Sequence, residues 1–421
     1  MTLMRLMNDK KPDIMTASRR KGGFSMKRDR LRAVALLLIL CLLITVSVSA
    51  EERSLSWAQE LVGLQSVRDM NLSGEGIRVA IIDSGLSADF AAMDGIHVEN
   101  ATNYLVAEDH ADRCNVTDHV GHGTAVASII ADPTIGLAPG VTLVPLKCFD
   151  KGTGSFDPIV KAVSDAVDTY DCDVINMSLG STTENAALAS AVQHALDSGV
   201  IVGAAVGNYA FEANTYFYPA AQKGVISVGA VDSSGSVINT SVRNDRITVV
   251  APGRDVPIFS SQTGSYSTGG GTSYAAPFVT AAAALARSID SELTPAEFQA
   301  MLQDTANDGG TEGYDTSYGY GLLNLPALFS EVMDEPSHVS YNPISNAVTI
   351  KVDPPPTVEV YSLFLVFYDG HGRLISTDLW SERTEALEKL QIPLPKGCTT
   401  CKLLVVDPDF SPILDAKTAS P

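Results

Sequence analysis

Between residues 77 and 328 the chain repeats one pattern, a short unbroken apolar run followed by a longer segment with helical periodicity. The runs fall at 79–82, 142–146, 174–177, 201–205 and 225–228. Continuous rather than alternating hydrophobicity marks strands covered on both faces, the environment of a parallel sheet. The segments at 158–170 and 185–198 have the length of crossover helices. The region is therefore expected to form a three-layer α/β domain with a mostly parallel sheet. Ligands in such sheets bind beyond the carboxyl ends of the strands, and Asp83, directly after the run 79–82, is expected at such an end.

After Pro336 the texture changes. Runs at 348–352, 358–368, 373–377 and 403–406 look like strands, and Tyr368-Asp369-Gly370-His371-Gly372 is a turn signal between two of them. Residues 337–421 are expected to be a small C-terminal β-sandwich, set after an α/β domain spanning 51–333.

Residues 1–32 hold ten Lys and Arg against three Asp, and the apolar stretch 33–48 then ends in Val48-Ser49-Ala50. This is the pattern of a secretory signal peptide. The stretch is about sixteen residues long, shorter than the roughly twenty that a membrane span needs, so cleavage after Ala50 is expected and membrane attachment only if it fails. Met26 would begin a leader of ordinary proportions and is a candidate start. The chain has 29 basic and 49 acidic residues, and removing 1–50 leaves 19 against 46, a net charge of −27. So acidic a surface favours solubility and disfavours nucleic acid. The five cysteines beyond the leader, Cys114, Cys148, Cys172, Cys398 and Cys401, are an odd number, so at least one must be unpaired. Cys398 and Cys401 have redox-motif spacing without its βαβ context, which leaves a structural pair in a hairpin or two thiols.

Three motifs carry chemistry. Val79-Ala80-Ile81-Ile82-Asp83-Ser84-Gly85 ends a buried run in a carboxylate, Gly121-His122-Gly123-Thr124 opens the apolar run 125–130, and Gly271-Thr272-Ser273-Tyr274-Ala275-Ala276-Pro277 sets a serine before the alanine-rich run 280–286. Taken singly these are an ordinary turn, an ordinary histidine and an ordinary helix cap. Taken together, they supply what a serine hydroxyl needs to act as a nucleophile, a base to take its proton and a group to orient that base. The order Asp, His, Ser is that of the subtilisins, as against His-Asp-Ser in chymotrypsin and Ser-Asp-His in the α/β-hydrolases. Over residues 57–330 the chain resembles the subtilisin-like serine proteases.

The resemblance implies a secreted serine endopeptidase that hydrolyses peptide bonds through an acyl-enzyme. Ser273 would attack, His122 would act as base and then acid, and Asp83 would hold the imidazole. Asn208, closing Val202-Gly203-Ala204-Ala205-Val206-Gly207-Asn208, would donate to the oxyanion beside the Ser273 N–H. Ser178, Leu179 and Gly180 would line the primary specificity pocket, Gly152 and Gly154 would belong to the edge that pairs with an extended peptide, and Ala205 and Gly207 would also bind substrate. Phe217 either floors that pocket, favouring small P1 residues, or is ordinary packing. The chemistry needs no cofactor. The loop 131–136 is short where many relatives bind calcium, so structural calcium is possible but unsupported, and no metal ligands are assigned. Cys114 and Cys148 would lie just past neighbouring strand ends, close enough to bridge, and Cys172 would be a core residue. Asp83 lies only 33 positions after Ala50, too few for a pro-domain. The expected partner is a protein or peptide substrate, and the expected state a monomer. The competing reading is a catalytically idle scaffold that binds through its acidic surface or C-terminal module.

Overall fold

The computed structural model describes residues 56–419 except 152–153, 210–214, 334–336, 343–346, 353–360, 371, 384–386 and 407–416. The expected leader and Gly152 lie outside the described residues.

Two short helices, α1 (Trp57–Leu61) and α2 (Leu64–Asp69), lead into β1 (Arg78–Asp83). Then come α3 (Ala88–Ala91), the two-residue strands β2 (His97–Val98) and β3 (Thr102–Asn103), and α4 (His122–Ala131). They are followed by β4 (Thr142–Lys147), α5 (Phe156–Asp168), β5 (Val174–Met177) and α6 (Ala186–Asp197). With β6 (Ile201–Ala205), β7 (Ile226–Val231) and β8 (Val249–Pro252) the strands form one sheet in the order β2-β4-β1-β5-β6-β7-β8, with β3 paired to β4. Every described pairing in it is parallel. An antiparallel hairpin, β9 (Val256–Ser260) and β10 (Ser265–Gly269), precedes the long helix α7 (Thr272–Ile289), and α8 (Pro295–Thr305) and α9 (Leu325–Val332) follow.

The three layers follow from the pleat of β1. Val79 and Ile81 point into one apolar cluster with α4 and α7, while Ala80 and Ile82 point into another with α5 and α6. Both faces are dry, so the runs read as unbroken rather than alternating. The expected strand 225–228 begins one residue later and runs on to Val231, because the Val225 N–H closes a turn on the Gln222 carbonyl.

Beyond the α/β region lie β11 (Ser337–Asn342), β12 (Ala347–Val352), β13 (Tyr361–Tyr368), β14 (Leu374–Arg383), β15 (Leu387–Pro393), β16 (Thr400–Val406) and β17 (Lys417–Ala419). They make two antiparallel sheets, β11-β12-β15 and β14-β13-β16-β17. Val348, Ile350 and Ile392 of the first share one core with Leu363, Leu365, Phe367, Leu403 and Val405 of the second, which is a sandwich.

The bridge expected between Cys114 and Cys148 is not formed, and both are thiols. Cys148 continues the sheet, its N–H bonded to the Asp83 carbonyl at 2.8 Å, and its buried sulfur faces the Pro158 carbonyl at 3.4 Å. Cys114 is exposed. Cys172 is buried in the core as expected. Cys398 is a thiol directed at the Thr400 carbonyl, and Cys401 lies buried in the sandwich core.

Candidate active site

Asp83 ends β1 with its side chain fully buried, and the Ser84 N–H donates to Oδ1 at 2.7 Å. His122 is the first residue of α4. That helix comes so close to the Asp83 loop that a Cβ on Gly123 would collide with the Gly85 carbonyl and lie 3.1 Å from Asp83 Cβ. Only glycine allows this approach. As a result His122 Nδ1 stands 2.8 Å from Asp83 Oδ1 and 3.0 Å from Oδ2. A carboxylate acceptor holds the proton on Nδ1 and leaves Nε2 as the basic nitrogen. Burial disfavours the imidazolium, but the charge and hydrogen bond of Asp83 and the charge of Asp118 together outweigh it, so the ring titrates above its ordinary value.

Ser273 is the second residue of α7, where a backbone N–H has no partner within the helix. Pro277 lies inside the same helix and cannot donate to the carbonyl four residues back, that of Ser273. The Ser178 hydroxyl donates to that carbonyl instead, at 2.7 Å. Ser178 in turn accepts from the Asn176 amide at 3.0 Å, and Asn176 accepts from Thr280 of α7 at 2.9 Å, so a buried chain of hydrogen bonds fixes the Ser273 backbone to β5. The Ser273 hydroxyl donates to the Ser178 carbonyl at 3.1 Å rather than to His122.

Asn208 follows β6. Its Oδ1 accepts from the Thr272 N–H at 2.8 Å and the Thr272 hydroxyl at 3.2 Å, which leaves the Nδ2 hydrogens as donors beside the start of α7. His122, Ser273, Asn208 and Thr272 border one cavity of about 550 Å³. Its walls include Gly154, Ser178, Leu179, Gly180, Ala205 and Gly207. Phe217 is buried, 7% exposed. It packs in a cluster with Val206, Val242 and Leu322, yet its ring also faces the cavity. A Cβ on Gly207 would lie 2.6 Å from the ring and one on Gly180 3.3 Å from it, so the Phe217 ring lies against both glycines. Two backbone bonds between Ser181 and Tyr218, at 2.8 and 3.0 Å, hold it there, and Tyr209 stacks on it at 5.8 Å.

Sequence reasoning passed over Asp118 and Ser84, which stand beside the expected residues. Their signals were an acid four residues before His122, at the start of a helical run, and a hydroxyl next to Asp83. In loop 131–136 side chains hold the turn. Asp132 accepts from the N–H groups of Thr134 and Ile135 and from the Tyr266 hydroxyl, while the Thr134 and Ile135 carbonyls accept from Arg68 and Gln59. Among the described residues no group of three or more His, Cys, Asp or Glu converges.

The sequence profile of the subtilase family matches residues 74–321. Subtilisin DY of Bacillus licheniformis is 35% identical over 276 residues, covering 63% of this chain and 96% of that protein. Subtilisin E of Bacillus subtilis is 33% identical over 284 residues, covering 65% of this chain and 71% of that protein. Among solved structures, a lanthipeptide protease superposes with a TM-score of 0.57 at 27% identity, covering 65% of this chain and 93% of that one. A cold-adapted subtilisin-like serine proteinase superposes with a TM-score of 0.54 at 28% identity, covering 60% and 90%. With its parallel sheet, its motif order and a profile match over more than half its length, the chain belongs to the subtilase family and is a serine endopeptidase.

Proposed function

We propose that this endopeptidase works through Asp83, His122 and Ser273 with Asn208 as oxyanion donor, on extended polypeptide with small residues at P1. The observation that carries the reading is the bond from His122 Nδ1 to the buried Asp83 carboxylate at 2.8 Å, on the rim of the cavity that Ser273 also borders. The Ser273 hydroxyl would leave the Ser178 carbonyl, pass its proton to His122 Nε2 and attack the scissile carbonyl. Hydrogen bonds of this kind commonly tighten only with substrate in place. Negative charge developing on the carbonyl oxygen would be met by Asn208 Nδ2 and the Ser273 N–H, both fixed before the reaction begins. His122 would then protonate the leaving amine, and water would release the acyl group by the same steps in reverse.

The small P1 preference follows from Phe217, whose ring takes up the depth between Gly180 and Gly207 that a long side chain would fill. Gly154 and the segment around Leu179 would pair with peptide backbone on either side of the substrate, the mode that selects extended chains over small esters. The domain limits 51–333 and 337–421, cleavage after Ala50, secretion and a monomeric state belong to the same proposal. The leader pattern of residues 1–50 and the name of one relative, a minor extracellular protease of Bacillus subtilis at 30% identity, support export. Among the described residues no helix is long and apolar enough to cross a membrane.

A fluorophosphonate probe tests the nucleophile. Covalent labelling of the exported protein that disappears in Ser273→Ala is expected. A folded protein that never labels would instead mark an idle scaffold.

A further inference from the structure

We propose that Asp118 is a positioning residue for His122, tying the first turn of α4 to the loop that carries Asp83. The proposal rests on His122 being the base. Asp118 is 7% exposed, and its carboxylate accepts five hydrogen bonds from three directions. Oδ1 takes the Ser84 hydroxyl at 2.8 Å and the N–H groups of Val120 and Gly121 at 3.1 and 2.7 Å. Oδ2 takes the N–H and hydroxyl of Thr124 at 2.9 and 2.7 Å. Ser84 completes the tie, since its hydroxyl accepts the Gly123 N–H at 2.9 Å while its own N–H donates to Asp83 Oδ1 at 2.7 Å. The residues on both sides of His122 are thus bonded to a pair, Asp118 and Ser84, that also holds Asp83. A shift of the helix start relative to the β1 end would break several of these bonds at once. Rotation of α4 away from Asp83 is resisted by a connected network rather than by one contact.

The arrangement requires the ionised acid. All five partners are donors, so an amide in its place would set its NH₂ against either the Thr124 donors or those of Ser84 and Gly121. The buried charge also reaches the imidazole. His122 faces Asp83 from β1, Asp118 from the segment before α4 and the neutral ring of Tyr274 from α7 at 5.7 Å. Burial lowers the affinity of the ring for a proton, and Asp83 followed by Asp118 more than restores it.

The test is Asp118→Asn in the full chain, read in two ways. In a Ser273→Ala background, which prevents self-digestion, NMR titration of the His122 ring should show its midpoint lowered by about half to one pH unit relative to Ser273→Ala alone. In the active enzyme the acid limb of kcat/KM should move down with it, and kcat on its plateau should fall about tenfold while KM changes by less than about twofold. A folded Asp118→Asn with unmoved midpoint and unchanged kcat overturns the proposal. Should that variant not fold, Ser84→Ala keeps both carboxylates and removes the tie. Its kcat should fall several-fold with the acid limb in place, and an unchanged kcat overturns the proposal. A shifted midpoint in a protein that hydrolyses no peptide would uphold Asp118's role while rejecting the proposed chemistry.

Discussion

His122 carries opposite consequences for activity and for stability. Its proton affinity is raised above the ordinary value of 6.5 by Asp83 and Asp118, against the effect of burial. A general base must be unprotonated, so kcat/KM should rise with pH through an apparent pKa above about 6.5. The same shift favours the folded state while the ring is charged. That contribution is complete below the unfolded value of about 6.5 and fades as pH climbs through the folded one. A pH–rate profile whose acid limb falls at or below 6.5 would contradict this. Phe217 makes a second prediction at this scale. Replacing it with Ala should raise kcat/KM for substrates with Phe at P1 by about tenfold or more relative to Ala at P1, in a peptide-library profile. The profile should be taken well below the melting point, because losing a ring that is 7% exposed costs about 3 kcal/mol.

At the scale of elements, legibility tracked burial. Val174–Met177 and Ile201–Ala205 are dry on both faces, and their bounds could be read directly from their apolar runs. β10, Ser-Tyr-Ser-Thr-Gly, has four of its five residues exposed and is a strand only because β9 pairs with it, so no local pattern announced it. β17, only three residues long, likewise depends on its pairing with β16. Asp83, His122 and Asn208 stand out in the sequence because each sits where an apolar run starts or stops, and Ser273 because a small-residue turn precedes the alanine-rich run 280–286. The Ser178 tie to Ser273 does not, since it joins residues 95 positions apart through a carbonyl that Pro277 cannot reach. Loop 131–136 shows how side chains can hold an irregular turn. Arg68 and Gln59 donate to its carbonyls and Tyr266 to its carboxylate. Arg68→Ala should therefore lower Tm by about 2–6 °C in thermal melts. An unchanged Tm in that variant would contradict this.

For the whole molecule, the family match ends at residue 321, and among the described residues the core of the C-terminal sheets contains none before Val348. A chain ending after Met333 should therefore fold and hydrolyse peptide with kcat/KM within about threefold of the full length. A tenfold or larger loss would give the sandwich a part in catalysis. The central claim is that Asp83, His122 and Ser273 act as one unit, and the most direct measurement is kcat for Asp83→Asn, Ser273→Ala and the double variant on one peptide. Residues that share one proton transfer lose rate together rather than multiplicatively. The account predicts that Asp83→Asn alone slows turnover about 10⁴-fold and that the double variant is no slower than Ser273→Ala within a factor of about three. Multiplying losses, or unchanged turnover in Asp83→Asn, would contradict it.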